Sequence, residues 1–248
     1  MKDSIRLICL SILLFSAHLV SGKTLKVLFI GDSITDGAWG QPSVWNATSE
    51  ERNHTDMNHI FGHGYMMICA STLMAEHPGE YECYNRGISG NTLNDLAGRW
   101  EKDVIAIAPD IVSILIGTND IEQYLNQMSS GETKDFDINA WQNTLDSLLI
   151  ETRKQLPDVK IMLCTPFVAK VGWRGAAENY SLRSLLISQC DEVMKKVAEK
   201  HNAKIVPFHD LFSELTLPSP EYWVWDGIHP TPAAHKLMAD VWLKASPR

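Results

Sequence analysis

The chain has 248 residues, 45% hydrophobic and 21% charged, which is ordinary for a soluble globular protein and enough for one α/β domain with a full core. Its formal charge of −8 repels phosphate backbones, so no nucleic-acid partner is expected, and no composition shift marks a second domain.

Residues 1–22 read as an address. Lys2 and Arg6 make a basic start, and Leu7 to Phe15 form an apolar stretch too short to span a bilayer as a stable helix. Val20-Ser21-Gly22 offers residues for cleavage, which places the mature start near Lys23. The expectation is a signal peptide over 1–22 and a secreted or periplasmic single domain over 23–248, with no membrane span; the alternative is a membrane anchor. Export leaves Cys69, Cys83, Cys164 and Cys190, none in a C-x-x-C pair, so buried thiols and disulfides both stay open.

Short apolar runs then alternate with amphipathic stretches. Lys26 to Ile30, Ile111 to Ile116, Val159 to Cys164 and Ala203 to Val206 read as strands, and Tyr81 to Tyr84 as a weaker one. Nearly continuous apolar runs suit parallel strands covered on both faces. Gly64 to Glu76, Thr92 to Ile107, Ile138 to Gln155, Tyr180 to His201 and Pro232 to Lys244 space their apolar residues as helices do. Five β-α repeats imply a parallel sheet with right-handed crossovers and helices on both sides.

Such sheets bind ligands at the carboxyl ends of their strands, and the polar motifs fall there. Gly31-Asp32-Ser33 follows the first strand; Ser33, read alone, is either a nucleophile or a helix cap. Asn85-Arg86-Gly87-Ile88-Ser89-Gly90 follows the second, where glycine lets a backbone N–H approach a ligand. Gly117-Thr118-Asn119-Asp120 follows the third, and the Asn119 side chain can donate to a developing oxyanion. Asp226-Gly227-Ile228-His229 lies near the end, where a carboxylate three residues before a His can fold back onto its ring and orient a general base.

Together these four blocks resemble those of the SGNH hydrolases, the GDSL esterase and lipase superfamily, from about residue 26 to the end. The resemblance implies a flavodoxin-like, three-layer α/β/α fold with a five-stranded parallel sheet. It implies Ser33 as nucleophile, His229 as base and Asp226 as its orienting carboxylate. It also implies an oxyanion hole of the Ser33 and Gly87 backbone N–H groups and the Asn119 side chain.

The long segment from Ala38 to Gly62 is rich in Trp, Asn and His and reads as a binding loop. Trp39, Trp173 and Trp225 are candidate sugar-stacking side chains, and Arg174 is a candidate contact for an acidic substrate group. His54, His59 and His63 lack a matching carboxylate or Cys pattern and contain no H-E-x-x-H, so neither a metal nor another cofactor is expected. Asp36 and Asp120 read as turn or cap residues. These aromatics, the export signal and the absence of a long apolar lid favour removal of acetyl groups from carbohydrate. A lipase or lysophospholipase-type acylhydrolase and a non-catalytic carbohydrate-binding module are the alternatives.

Overall fold

A computed structural model describes residues 23–131, 134–215 and 219–247. The expected signal peptide lies outside these residues. Strands β1 (Leu25–Gly31), β2 (Tyr81–Gly87), β3 (Ile111–Leu115), β4 (Lys160–Cys164) and β5 (Lys204–Val206) form one parallel sheet in the order β2-β1-β3-β4-β5. This is the flavodoxin-like order, whose reversal beside β1 opens a crevice at the strand ends. Register places Gly31 opposite both Gly87 and Leu115, so the loops after β1, β2 and β3 leave the sheet side by side.

The helices, in chain order, are α1 (Ser33–Asp36), α2 (Tyr65–Glu76), α3 (Leu93–Trp100), α4 (Thr118–Ser129) and α5 (Ile138–Gln155). They continue with α6 (Gly172–Gly175), α7 (Tyr180–His201), α8 (Phe208–Leu215), α9 (Pro220–Trp223) and α10 (Pro232–Ala245). Successive strand residues point to opposite faces, and the core divides accordingly. Leu28, Ile30, Val112, Ile114, Ile161 and Leu163 meet α3, α4, α5 and α7 on one face. Val27, Phe29, Ile111, Leu115, Met162 and Cys164 meet α2, α8 and α10 on the other. The three layers follow from strands apolar on both sides. No helix among the described residues is long and apolar enough to cross a membrane.

Three details depart from the sequence reading. β2 extends to Gly87, and its buried residues alternate because it is an edge strand, which is why its apolar signal is weak. The helix expected over 92–107 changes at Trp100 into a π turn over Glu101–Ile105, where Ala106 N donates to Glu101 O. That wider turn seats buried Asp103 against Arg99 and Ser49. Finally, α4, α8 and the four-residue α1, α6 and α9 are additional helices, although Ile121, Tyr124, Leu125 and Met128 already carry helical spacing in α4.

The four cysteines described are free and buried, and burial pushes the Cys83 and Cys164 thiols up to about 12. Ser113, the polar residue in the middle of β3, accepts from buried Trp242 Nε1 at 2.9 Å and lies 3.3 Å from Cys164 Sγ. Ser113→Ala leaves the indole N–H without this acceptor and is expected to lower stability by about 1–3 kcal/mol. Urea denaturation checks this as a lower midpoint with an unchanged slope.

Candidate active site

The chain turns sharply where β1 ends. Asp32 caps the short α1 by accepting from Ile34 N at 3.0 Å, which leaves Ser33 at the first helical position with its hydroxyl facing outward. The Ser33 backbone N–H has no acceptor among the described residues, as expected at a helix N-terminus. Asp32 is fully buried, and burial raises its carboxyl to about 7 against the Ile34 hydrogen bond and the attraction of His229.

The second half of the site hangs on a loop closed by the Val224–Pro230 bridge and by Trp225 N donating to His229 O. Within it Asp226 folds back as its spacing suggests. Its Oδ1 accepts from Ile228 N at 3.1 Å and His229 N at 2.9 Å, and its Oδ2 lies 2.8 Å from His229 Nδ1. Across the sheet ends, His229 Nε2 stands 2.8 Å from Ser33 Oγ. The structure thus brings Ser33, His229 and Asp226, nearly two hundred residues apart in the chain, into one hydrogen-bonded row. Burial raises the Asp226 carboxyl, but the hydrogen bonds from the His229 ring, His229 N and Ile228 N outweigh it and hold the pKa well below the usual range. A permanent carboxylate there fixes the imidazole with hydrogen on Nδ1 and leaves Nε2 free to accept the Ser33 proton.

Arg174 commits two of its three guanidinium nitrogens to protein carboxylates. Its Nη1 donates to Asp226 Oδ2 at 2.6 Å and its Nε to Glu122 at 3.2 Å, while Arg183 Nε also reaches Glu122 at 2.5 Å. Two guanidiniums and two carboxylates therefore compensate one another behind His229. Trp39 is likewise corrected. It is 0% exposed, its Nε1 donates to Gly87 O, and the Arg52 and Arg86 guanidiniums lie over its ring. A ring packed this way cannot stack on a substrate.

Gly87 also has another job. Its N–H donates to Asn85 Oδ1 at 2.8 Å and is not available to an oxyanion. A Cβ there would come within 2.3 Å of Asp36 N, so glycine is needed to let α1 lie against the end of β2. The unpaired N–H among the described residues of this loop is that of Gly90, three residues on. Ser89, before it, is held by Asp36 Oδ2 through both N and Oγ at 2.8 Å. Asn91, after it, accepts through its carbonyl from Asn119 Nδ2 at 3.1 Å, which brings the Asn119 amide beside Gly90. That amide has a second hydrogen to offer. The sequence signal for Gly90 was present in the same Gly-x-x-Gly block, but nothing local distinguishes its two glycines.

Trp173 and Trp225 are 62% and 63% exposed. Trp225 lies at 27° to the His229 ring, and Trp173 carries the Arg174 guanidinium 3.8 Å from its centroid. Asp120, in α4, accepts from Leu93 N at 3.0 Å, at the start of α3, whose own cap is Thr92. Asp36 does more than cap a turn. It is a buried carboxylate paired with Arg52. His54 bonds to Ser49 O and His59 to Asp56.

Asp32 yields a test of this electrostatic picture. Between about pH 4 and about 7 the folded state keeps a proton that the unfolded chain has released, so stability falls as pH rises through that window. Asp32→Asn keeps an acceptor for Ile34 N and removes the titration. Its stability advantage over wild type is expected to grow from pH 4 to 7 and then level off in urea melts. A pH-independent difference would overturn the assignment.

The family model for GDSL-like lipases and acylhydrolases matches residues 29–237. An acetylxylan esterase of Geobacillus stearothermophilus is 36% identical over 227 residues, covering 90% of this chain and 94% of that protein. An acetylxylan esterase of Xylanibacter ruminicola is 27% identical over 88% of this chain but only 42% of its own greater length. The crystal structure of the Geobacillus enzyme superposes with a TM-score of 0.72 at 34% identity, covering 90% of this chain and 94% of the other. With the 2-1-3-4-5 sheet and the Ser33–His229–Asp226 row already in place, these matches establish that the chain belongs to the GDSL-like lipase/acylhydrolase family of the SGNH hydrolase superfamily and is a carboxylic ester hydrolase.

Proposed function

We propose that this protein is an exported carbohydrate O-acetylesterase working by two-step acyl transfer. The observation that carries the mechanism is the 2.8 Å contact between Ser33 Oγ and His229 Nε2, backed by the 2.8 Å contact of His229 Nδ1 with Asp226. His229 takes the Ser33 proton as the hydroxyl attacks the ester carbonyl, and returns it to the departing alcohol. Water, deprotonated by the same ring, then frees acetate from Ser33. The tetrahedral oxyanion is received by the Ser33 and Gly90 N–H groups, which have no acceptor among the described residues, and by the Asn119 amide.

Similarity to acetylxylan esterases over nine-tenths of the chain supports an acetylated glycan as substrate. The exposed Trp225 beside His229 supplies an aromatic face of the kind that sugars stack on. Export rests on the basic and apolar start of the sequence.

Ser33→Ala is expected to lower kcat by more than about 10⁴-fold and Asn119→Ala by on the order of 10²–10³-fold, with folding unchanged by circular dichroism. A panel of acetyl to long-chain esters, run beside acetylated xylo-oligosaccharide, is expected to show highest kcat/KM for acetyl groups and release of acetate from the glycan. Peak activity at chains of about eight carbons or longer, without glycan deacetylation, would refute this substrate reading.

A further inference from the structure

A cavity of about 580 Å³ opens beside the Ser33–His229 pair, and His63, Trp225, Pro232 and His235 line it. Gly90 and Asn119, the proposed oxyanion donors, do not. In acyl transfer the base hands its proton to the leaving oxygen, so the alcohol half of an ester lies on the His229 side and the carbonyl oxygen on the other. The cavity is on the alcohol's side.

His235, in the first turn of α10, is held there in one orientation and one tautomer. Its Nδ1 accepts from Tyr65 N at 3.1 Å, so the hydrogen of the neutral ring sits on Nε2. The ring lies close against Gly64, where a Cβ would stand 3.1 Å from His235 Cε1. Burial lowers the imidazole to about 4, with His63 and His229 acting in the same direction, and the N-terminus of α2 also disfavours a second proton. Among the described residues the ring's one hydrogen-bond partner is Tyr65 N, at Nδ1, which leaves Nε2 without one. Among the described residues it is a preset donor without an acceptor, on a side chain that lines the alcohol's cavity.

We propose that His235 is a substrate-positioning residue that donates its Nε2 hydrogen to a hydroxyl or ring oxygen of the departing sugar, while Trp225 offers its face to the same sugar. This deepens the preceding reading and rests on it. The donor is present before and during reaction, so its main effect falls on binding. It also favours alcohols that carry a second oxygen over simple alcohols.

The test compares wild type, His235→Phe and His235→Gln on acetylated xylo-oligosaccharide and on 4-nitrophenyl acetate, whose leaving group carries no sugar oxygen. His235→Phe is expected to raise KM for the glycan about 10- to 100-fold, with kcat for it and kcat/KM for 4-nitrophenyl acetate both within about threefold. His235→Gln, which retains an N–H donor, is expected to recover part of the loss. Equal losses on both substrates, or no change on the glycan, would overturn the proposal. Since the Phe variant leaves Tyr65 N–H unpaired and is liable to misfold, a second measurement uses an intact His235. In ¹⁵N-histidine spectra of the Ser33→Ala protein, the His235 ring is expected to carry its proton on Nε2, and that resonance to shift on addition of acetylated xylo-oligosaccharide. An Nδ1-protonated ring, or no shift at saturation, contradicts it. A wild-type protein that cleaves 4-nitrophenyl acetate but releases nothing from the glycan refutes the substrate reading itself, and this inference with it.

Discussion

The carboxylate of Asp36 is the constraint on which the site depends. It is buried at the end of α1, and Arg52 grips it with both terminal nitrogens at 2.7 and 3.0 Å. Ser89 N and Oγ complete its shell. One side chain thereby ties together the turn that carries Ser33, the long loop after it and the loop that carries Gly90. Arg52 extends the tie by donating to the carbonyls of Trp39 and Ala47. A buried ion pair of this kind adds little net stability, but losing either partner strands the other charge at about 3–5 kcal/mol. The arrangement is therefore held in one form, which suits donors that must already be in place when an oxyanion develops.

A second charged group does the same for the base. The Asp226 carboxylate anchors the His229 loop by accepting from Ile228 N and His229 N, and Arg174 connects that loop to Glu122 on α4 and, through Glu122, to Arg183 on α7. One cluster supports the loop that carries Gly90, and the other supports the imidazole. Between them, the glycines at the strand ends allow main chains to approach where a Cβ would collide. Chemistry at the strand ends thus rests on charge pairs beneath it, which in turn rest on a sheet sealed by apolar layers on both faces.

The cavity beside His229 adds a division of labour. In the proposed mechanism the oxyanion donors are main-chain and amide groups, and the alcohol's neighbours are the aromatic and imidazole rings that line the cavity. His63, Trp225 and His235 come from three segments, the turn before α2, the His229 loop and the first turn of α10. Contact between α2 and α10 across Tyr65 and His235 joins the core packing of one layer to a side chain that lines the cavity.

The amino-acid sequence by itself determined the strands, the five longer helices α2, α3, α5, α7 and α10 in outline, and the chain order of the reacting groups. Fully buried strands declare themselves as apolar runs, and helical periodicity is local; even α4, passed over, was legible in Ile121, Tyr124, Leu125 and Met128. The Asp226–His229 pair was legible too, because three residues suffice to fold a carboxylate back onto a ring. Only the tertiary structure decided which groups were still free to act. Gly87 and Gly90 look alike in sequence, yet Asn85 occupies the N–H of one and leaves the other open. Trp39 and Trp225 are equally good stacking candidates, yet one is sealed between Arg52 and Arg86 and the other faces solvent. Arg174 acquires its partners, and His235 its tautomer, from residues 52 and 170 positions away. Hydrogen-bonding capacity is a property of a residue type, but whether it is already satisfied depends on neighbours that only the folded chain brings near.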